Sequence, residues 1–497
     1  MYLGLDLGTT NVKVLVVDGG GRTLGEGSAP VPRITTPDDG VEQDIDEIWE
    51  ATLSAMRQAT GRLDSAAVRA VGVSSQGGAL QLLDDHGRPL GRVISWLDGR
   101  ARPFDRQLEE ELGTDYLAEH LGCNLSAMAL GQLARLGSQQ PDLLAAAAQL
   151  AFVGDLIVAR LCARRAHDPT SLSIGMLYNP HLGNADPDVL RHLGLEHKRL
   201  PDLLPADRPA GGLLPEVAER TGLGAGIPVS PAVHDQYAAS LGAGAVYPGD
   251  VSLGTGTAWV LIVHADRLTA PVMPRTFVCP HPVPGLFGQL LSMTNGGSAL
   301  EWALELSGRE NLDAEGLDAA LESVPPGSDG LRCWPLLLAG AAVGVAGTAL
   351  AGGGRLADVR LGHGPNHLLR AVVEGLACEL ARYLDLVGRA GLPVERLVMC
   401  GPAATSRATP QIVADVTGRP VACIGASAIS AFGATILARR LAEPGVELRA
   451  LAERLVPSHR DVEPGPNAGV YGELLASYLE PFATKPQRRV GGKRGRG

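Results

Sequence analysis

One pattern occurs twice in this chain. Residues 5–18 read LDLGTTNVKVLVVD and residues 251–264 read VSLGTGTAWVLIVH. Each copy predicts an apolar strand, a Gly-Thr turn and a second apolar strand, that is, a hairpin. A pattern that returns halfway along 497 residues implies a duplicated domain, with the second half starting near Val246. Composition fits α/β layers built from small residues: 64 glycines and only 4% aromatics. The expected fold class is therefore α/β, with two similar domains flanking a ligand cleft.

The remaining elements follow from local signals. Residues 41–61 predict a helix with Asp44 as N-cap, Glu47 three residues on and Gly61 as its stop. Residues 68–76 predict a strand, 79–98 a strand–turn–strand, and 105–163 a mostly helical stretch. A buried strand over 227–233 runs into His234–Asp235, and a helix follows. The formal charge of −11 argues against a nucleic-acid partner. The basic run 485–497 reads as a solvated, disordered tail. Residues 336–354 carry no charge, but Gly and Ala dominate them, so a Gly-rich loop is expected rather than a membrane span. Seven scattered cysteines without a C-x-x-C pair, and no signal-peptide pattern, point to a reducing, cytoplasmic setting.

The two copies differ in charge. Asp6 aligns with Ser252 and Lys13 with Trp259. Gly-Thr turns suit phosphate, because glycine lets the backbone approach and Thr hydroxyls add donors. Thr9 and Thr10 in the first copy, and Gly254, Thr255 and Gly256 in the second, are candidate phosphate contacts. Asp6 repels phosphate but suits Mg²⁺, and Lys13 neutralises charge nearby. The competing reading is an ordinary hairpin with a tolerated Asp. One asymmetric ligand, a nucleoside triphosphate with its metal, explains why only one copy is charged.

GLDLGTTNVKV and SLGTGT, with VEQDIDEIW, ISWLDGRA, TGLGAGIPVSPAVHDQYAASLGAGA, GPNHLLRAVVEG, QIVADVTGRPV and SAISAFGATILA, resemble the FGGY carbohydrate kinases over most of the chain. The resemblance implies two RNase H-like domains of the actin/hexokinase ATPase type. A sugar-binding domain would cover 1–242 and a nucleotide-binding domain 243–484, with a hinge near 242–250. It implies transfer of the γ-phosphate of ATP, with Mg²⁺, to a sugar hydroxyl. Asp235 matches the catalytic base, although it also suits the N-cap of the helix from Gln236. Gln76, Gly77 and Asp98 match substrate segments, with Arg100 as Asp98's partner or scaffold and Trp96 in the core. Gly401 and Ala404 fall in the adenosine loop, where Pro402 departs from the family's glycines. The uncharged stretch 335–354 and AMALGQLARLG, which lacks the family's Lys and Trp, depart as well. SSQGGA lacks both the Arg-Glu of glycerol kinases and the Met-His of xylulokinases. A ketopentose such as xylulose is the expected acceptor. A weak or inactive sugar- or nucleotide-binding regulator is the alternative, and a homodimer stays open.

Overall fold

The computed structural model describes residues 1–337, 350 and 353–482. The expected tail and most of the uncharged stretch lie outside them. In the first half, β1 (Tyr2–Leu7), β2 (Asn11–Val17), β3 (Thr23–Pro30), β4 (Val71–Ser75) and β5 (Pro228–His234) form the centre of one sheet. In the second half, β6 (Asp250–Thr255), β7 (Trp259–Ala265), β8 (Phe287–Ser292), β9 (Arg396–Cys400) and β10 (Val421–Ile424) form the centre of another. Both run third, second, first, fourth, fifth. In each, the first strand pairs antiparallel with the second and parallel with the fourth. The sequence repeat is thus a repeat of topology.

The hairpins do not superpose residue for residue. Leu7 pairs with Val12, whereas Leu253, its counterpart, pairs with Leu261. The second hairpin extends its ladder to Thr255↔Trp259 and buries Trp259. Trp259 is therefore not the structural counterpart of Lys13, which faces Asp6 across the first hairpin.

Helix α1 (Ile45–Thr60) starts at Asp44, whose carboxylate accepts the N–H groups of Asp46 and Glu47, and is followed by Gly61. Residues 102–162 hold five helices and a short strand, Gln149–Phe152. Helix α2 (Asp235–Gly242) leaves β5 directly. Helix α3 (Ile429–Ala442) comes from the second half of the chain but lies on β1 and β4 of the first sheet and beside α2. Backbones meet there: a Cβ on Gly72 would stand 1.8 Å from the Ala434 carbonyl oxygen, and one on Gly433 1.8 Å from that of Ala238. Apolar residues of both halves, among them Tyr237, Leu241, Ile262, Phe432 and Ile436, form one core around this crossing.

The linker after α2 is packed rather than loose. Ala245 and Val246 are buried, and Asp250 accepts the backbone N–H groups of Val246 and Tyr247 while pairing with Arg396. Any domain motion must slide α2 against α3. Among the described residues no helix is long and apolar enough to cross a membrane, and all seven cysteines are buried and free.

Candidate active site

The C-terminal ends of β1, β4 and β5 lie side by side, with Asp6 near the end of β1 and Asp235 directly after β5. Asp6 stands fourth in the parallel register of β1 on β4, where it faces Ser74, and the Ser74 hydroxyl donates to Asp6 Oδ1 at 3.0 Å. Asp235 opens α2 at the end of β5. The two carboxylates feel one another. Burial first, then repulsion from Asp235, pushes Asp6 up to about 7, with Ser74 and Lys13 pulling back. Burial also pushes Asp235 up to about 6, against the hydrogen bonds from Gln236. A half-buried acid pair with raised proton affinity, one member two residues before a Gly-Thr turn, has the donor chemistry of a divalent-cation site.

Buried groups fix Asp235 from behind. His234 Nε2 lies 3.4 Å from Asp235 Oδ1, but burial holds His234 down to about 3, so the contact joins a neutral imidazole to a carboxylate and is no ion pair. The His234 backbone N–H donates to Thr170 Oγ1 at 2.9 Å, and that hydroxyl donates to Asp168 Oδ1 at 2.5 Å. Asp168, Thr170 and His234 are all buried. The relay fixes the strand end that aims Asp235. Thr170→Val should lower kcat about tenfold or more without a matching loss of thermal stability, and Thr170→Ser should restore it. A drop in melting temperature without a change in kcat would make Thr170 merely structural.

The Gly-Thr turn of the first domain is braced. Thr9 Oγ1 donates to Gln76 Oε1 at 3.0 Å and accepts the Trp96 indole N–H at 2.9 Å. Gln43 Nε2 donates to the Thr9 carbonyl, and Gln76 Nε2 to Gln43 Oε1. The Thr9 hydroxyl is spent in this network, and the exposed Thr10 carries the freer one. Trp96 is not a core residue: it is 43% exposed beside Thr9. Gln76 is buried and already paired. Gly77 packs on the His234 ring, where a Cβ would come within 2.5 Å of Cδ2.

Asp98 differs most from expectation. Its carboxylate has no exposure. Arg100 holds both oxygens, the Val41 N–H donates to Oδ2 and Gln132 Nε2 to Oδ1. Burial opposes its charge, but Arg100 and the backbone donors outweigh burial and hold the carboxyl below its ordinary range. A sugar hydroxyl would have to displace one of these partners. Asp98 and Arg100 instead build the scaffold behind Trp96.

The second domain presents its turn to α2. A Cβ on Gly254 would stand 3.4 Å from Gln236 Oε1, which places this loop beside the residue after Asp235. Thr255 Oγ1 donates to the Cys400 carbonyl at 2.6 Å and accepts the Ala403 N–H at 3.1 Å. Gly401 takes φ +92°, and Pro402 starts the single-turn helix Pro402–Thr405. Proline is tolerated there because the first N–H of a helix has no intrahelical partner. The Ala404 side chain is buried and its N–H is bonded to the Gly401 carbonyl. The loop is thus a closed cap tied to the Gly-Thr turn, and Pro402 does not disrupt it. Gln43, Ser74, Thr170 and Gln236 were not singled out from the sequence. Only the register of β1 on β4 brings the nearest of them, Ser74, into view.

Two sheets of the same order, with the second domain's Gly-Thr turn beside α2 and an acid pair at the boundary, make a two-domain fold of the actin/hexokinase ATPase type. The model for the N-terminal domain of the FGGY family of carbohydrate kinases matches residues 1–242, and that for its C-terminal domain matches 249–442. The chain belongs to the FGGY family of carbohydrate kinases, phosphotransferases with an alcohol group as acceptor. It is 26% identical to the xylulose kinase of Escherichia coli, covering 92% of this chain and 93% of that one. It is 27% identical to the glycerol kinase of Delftia acidovorans, covering 92% and 94%. The crystal structure of xylulose kinase from Rhodospirillum rubrum superposes with a TM-score of 0.86 at 26% identity, covering 97% of this chain and 99% of that chain.

Proposed function

We propose that this protein is a cytoplasmic, ATP-dependent sugar kinase that phosphorylates a hydroxyl of a small sugar or polyol, with a ketopentose such as xylulose among its acceptors. The observation that carries the reading is the Asp6–Asp235 pair at the domain boundary, each carboxyl pushed up in proton affinity and flanked by Gly-Thr turns. The similarity to a named xylulose kinase supports the ketopentose.

Asp235 takes the proton of the acceptor hydroxyl as that oxygen bonds to the γ-phosphorus of ATP and the bond to the β,γ-bridging oxygen breaks. Asp6 would hold Mg²⁺, a fit that follows from a carboxylate raised by burial and by repulsion from Asp235, which a cation beside it would relieve. Bound there, Mg²⁺ supplies charge to offset that on the phosphate oxygens. Thr10 and Lys13 serve the phosphates from the first domain, and the Gly254–Gly256 turn from the second, held in shape by the Thr255 hydroxyl through Cys400 and Ala403, with Gly401 and Ala404 framing the adenosine side. Gln76 and Gly77 shape the acceptor loop through Thr9 and His234.

ADP release coupled to a reporter, screened with Mg·ATP against pentuloses, hexuloses, pentitols, glycerol and gluconate, tests the reading. Acceptor-dependent release is expected. Sugar binding without any turnover would favour a non-catalytic regulator instead.

A further inference from the structure

A cavity of about 570 Å³ lies between the domains, and neither Asp6 nor Asp235 lines it. Helix Arg102–Leu112 and the loop before Met128 wall it on one side, and residues 273–277 and 291–294 on the other. It nevertheless adjoins the acceptor loop. Met128 Sδ, on its wall, stands 3.1 Å from where a Cβ on Gly78 would be. The neighbouring Gly77 touches His234, and His234 touches Asp235. On the opposite wall, Thr294 precedes Gly297 and Ser298, whose N–H groups bond to the carbonyls of Gly256 and Thr257. Contacts therefore run unbroken from the chamber to the base and to the phosphate turn.

The lining alternates donors and acceptors. Arg106 and Arg275 bring guanidiniums from opposite domains, while Arg102 is matched by Asp39. Asp105 and Glu109 each give one oxygen to Ser126, to its hydroxyl and its N–H respectively, and among the described residues the second oxygen of each has no hydrogen bond. The Thr276 hydroxyl is buried and unpartnered among the described residues, a state that costs free energy unless a ligand satisfies it. The Arg275 backbone N–H is held by Asn124 of the first domain, so the two walls are tied together. Two guanidiniums balance two carboxylates, so the wall does not select an anion. It suits a neutral chain of hydroxyls, each able to donate to a carboxylate and accept from an arginine or threonine.

We propose that this chamber is an acceptor subsite for hydroxyl-bearing carbons beyond those held at Asp235, so that neutral acceptors of six or seven carbons are used better than shorter ones. The inference rests on the kinase reading above. Its test is kcat/KM for glycerol, xylulose, fructose and sedoheptulose with Mg·ATP, in the wild type and in Thr276→Val and Arg275→Ala. The wild type should favour the seven-carbon acceptor over glycerol about tenfold or more, and each variant should shrink that ratio about tenfold. Arg275 is exposed, so its variant is expected to melt like the wild type and reads the subsite independently of packing. An unchanged ratio in folded variants, or a wild type that prefers five carbons or fewer, would overturn the subsite and leave the kinase reading standing. No turnover with any acceptor would overturn the kinase reading on which the subsite rests.

Discussion

Asp235→Asn should lower acceptor-dependent kcat by about 10²-fold or more while leaving ATP binding nearly intact, because general-base assistance is lost but no nucleotide contact is removed. Asn keeps the size of the side chain and can still accept the Gln236 N–H, so α2 should start as before. The wild type should also show an acid limb. A protonated carboxyl cannot take the acceptor's proton, so kcat/KM falls as pH drops through the titration of Asp235, which burial raises above the ordinary carboxylate range and a cation at Asp6 lowers again. Asp6 would be half protonated near 7 without a cation, and Mg²⁺ should pull that step to lower pH. That acid limb should be absent from the residual activity of the Asn variant. Steady-state rates across pH 5 to 8 check both points, and an Asn variant as fast as the wild type would remove Asp235 from its role.

The second large effect is on stability. Gly72→Val should cost about 3 kcal/mol or more, or abolish soluble expression, because overpacking a close backbone contact forces elements apart. The opposing atom is a carbonyl oxygen of α3, 1.8 Å from the new Cβ, and no side-chain rotation can relieve it. Gly433→Val should do the same against Ala238. Gly445→Ala, with open space around its Cβ, is the control and should stay within about 0.5 kcal/mol of the wild type. Denaturant unfolding reads all three. A Gly72→Val protein with wild-type stability would mean that α3 does not sit on β1 and β4 as described.

Much of the frame could be read from the chain itself. The Leu-Gly-Thr repeat announced two hairpins, and both open sheets of the same order. The acid near the end of β1 marked where the two copies differ, and the structure sets it against Ser74 and Lys13. What stayed hidden depended on distant residues. The seat of α3 could not be seen, since alanine and glycine surfaces that let backbones touch carry no amphipathic signal naming a partner. The brace on Thr9 joins Gln43, Gln76 and Trp96, residues far apart in sequence, and Trp96 was expected in the core because a lone tryptophan usually is. Asp98 matched a substrate segment, but Gln132 and the Val41 N–H, which help occupy its carboxylate, arrive from other elements. Lys13 and Trp259 aligned in sequence yet differ in space, because the two hairpins close at different points of their ladders.

The central claim is that the Asp6–Asp235 boundary moves a phosphoryl group from ATP to a sugar hydroxyl. Phosphorus NMR of the wild-type protein with Mg·ATP and an acceptor reads this directly. A phosphomonoester resonance should grow in step with ADP, one for one, and should vanish when the acceptor is left out. ADP accompanied only by inorganic phosphate, or no ADP with any acceptor, would contradict the account.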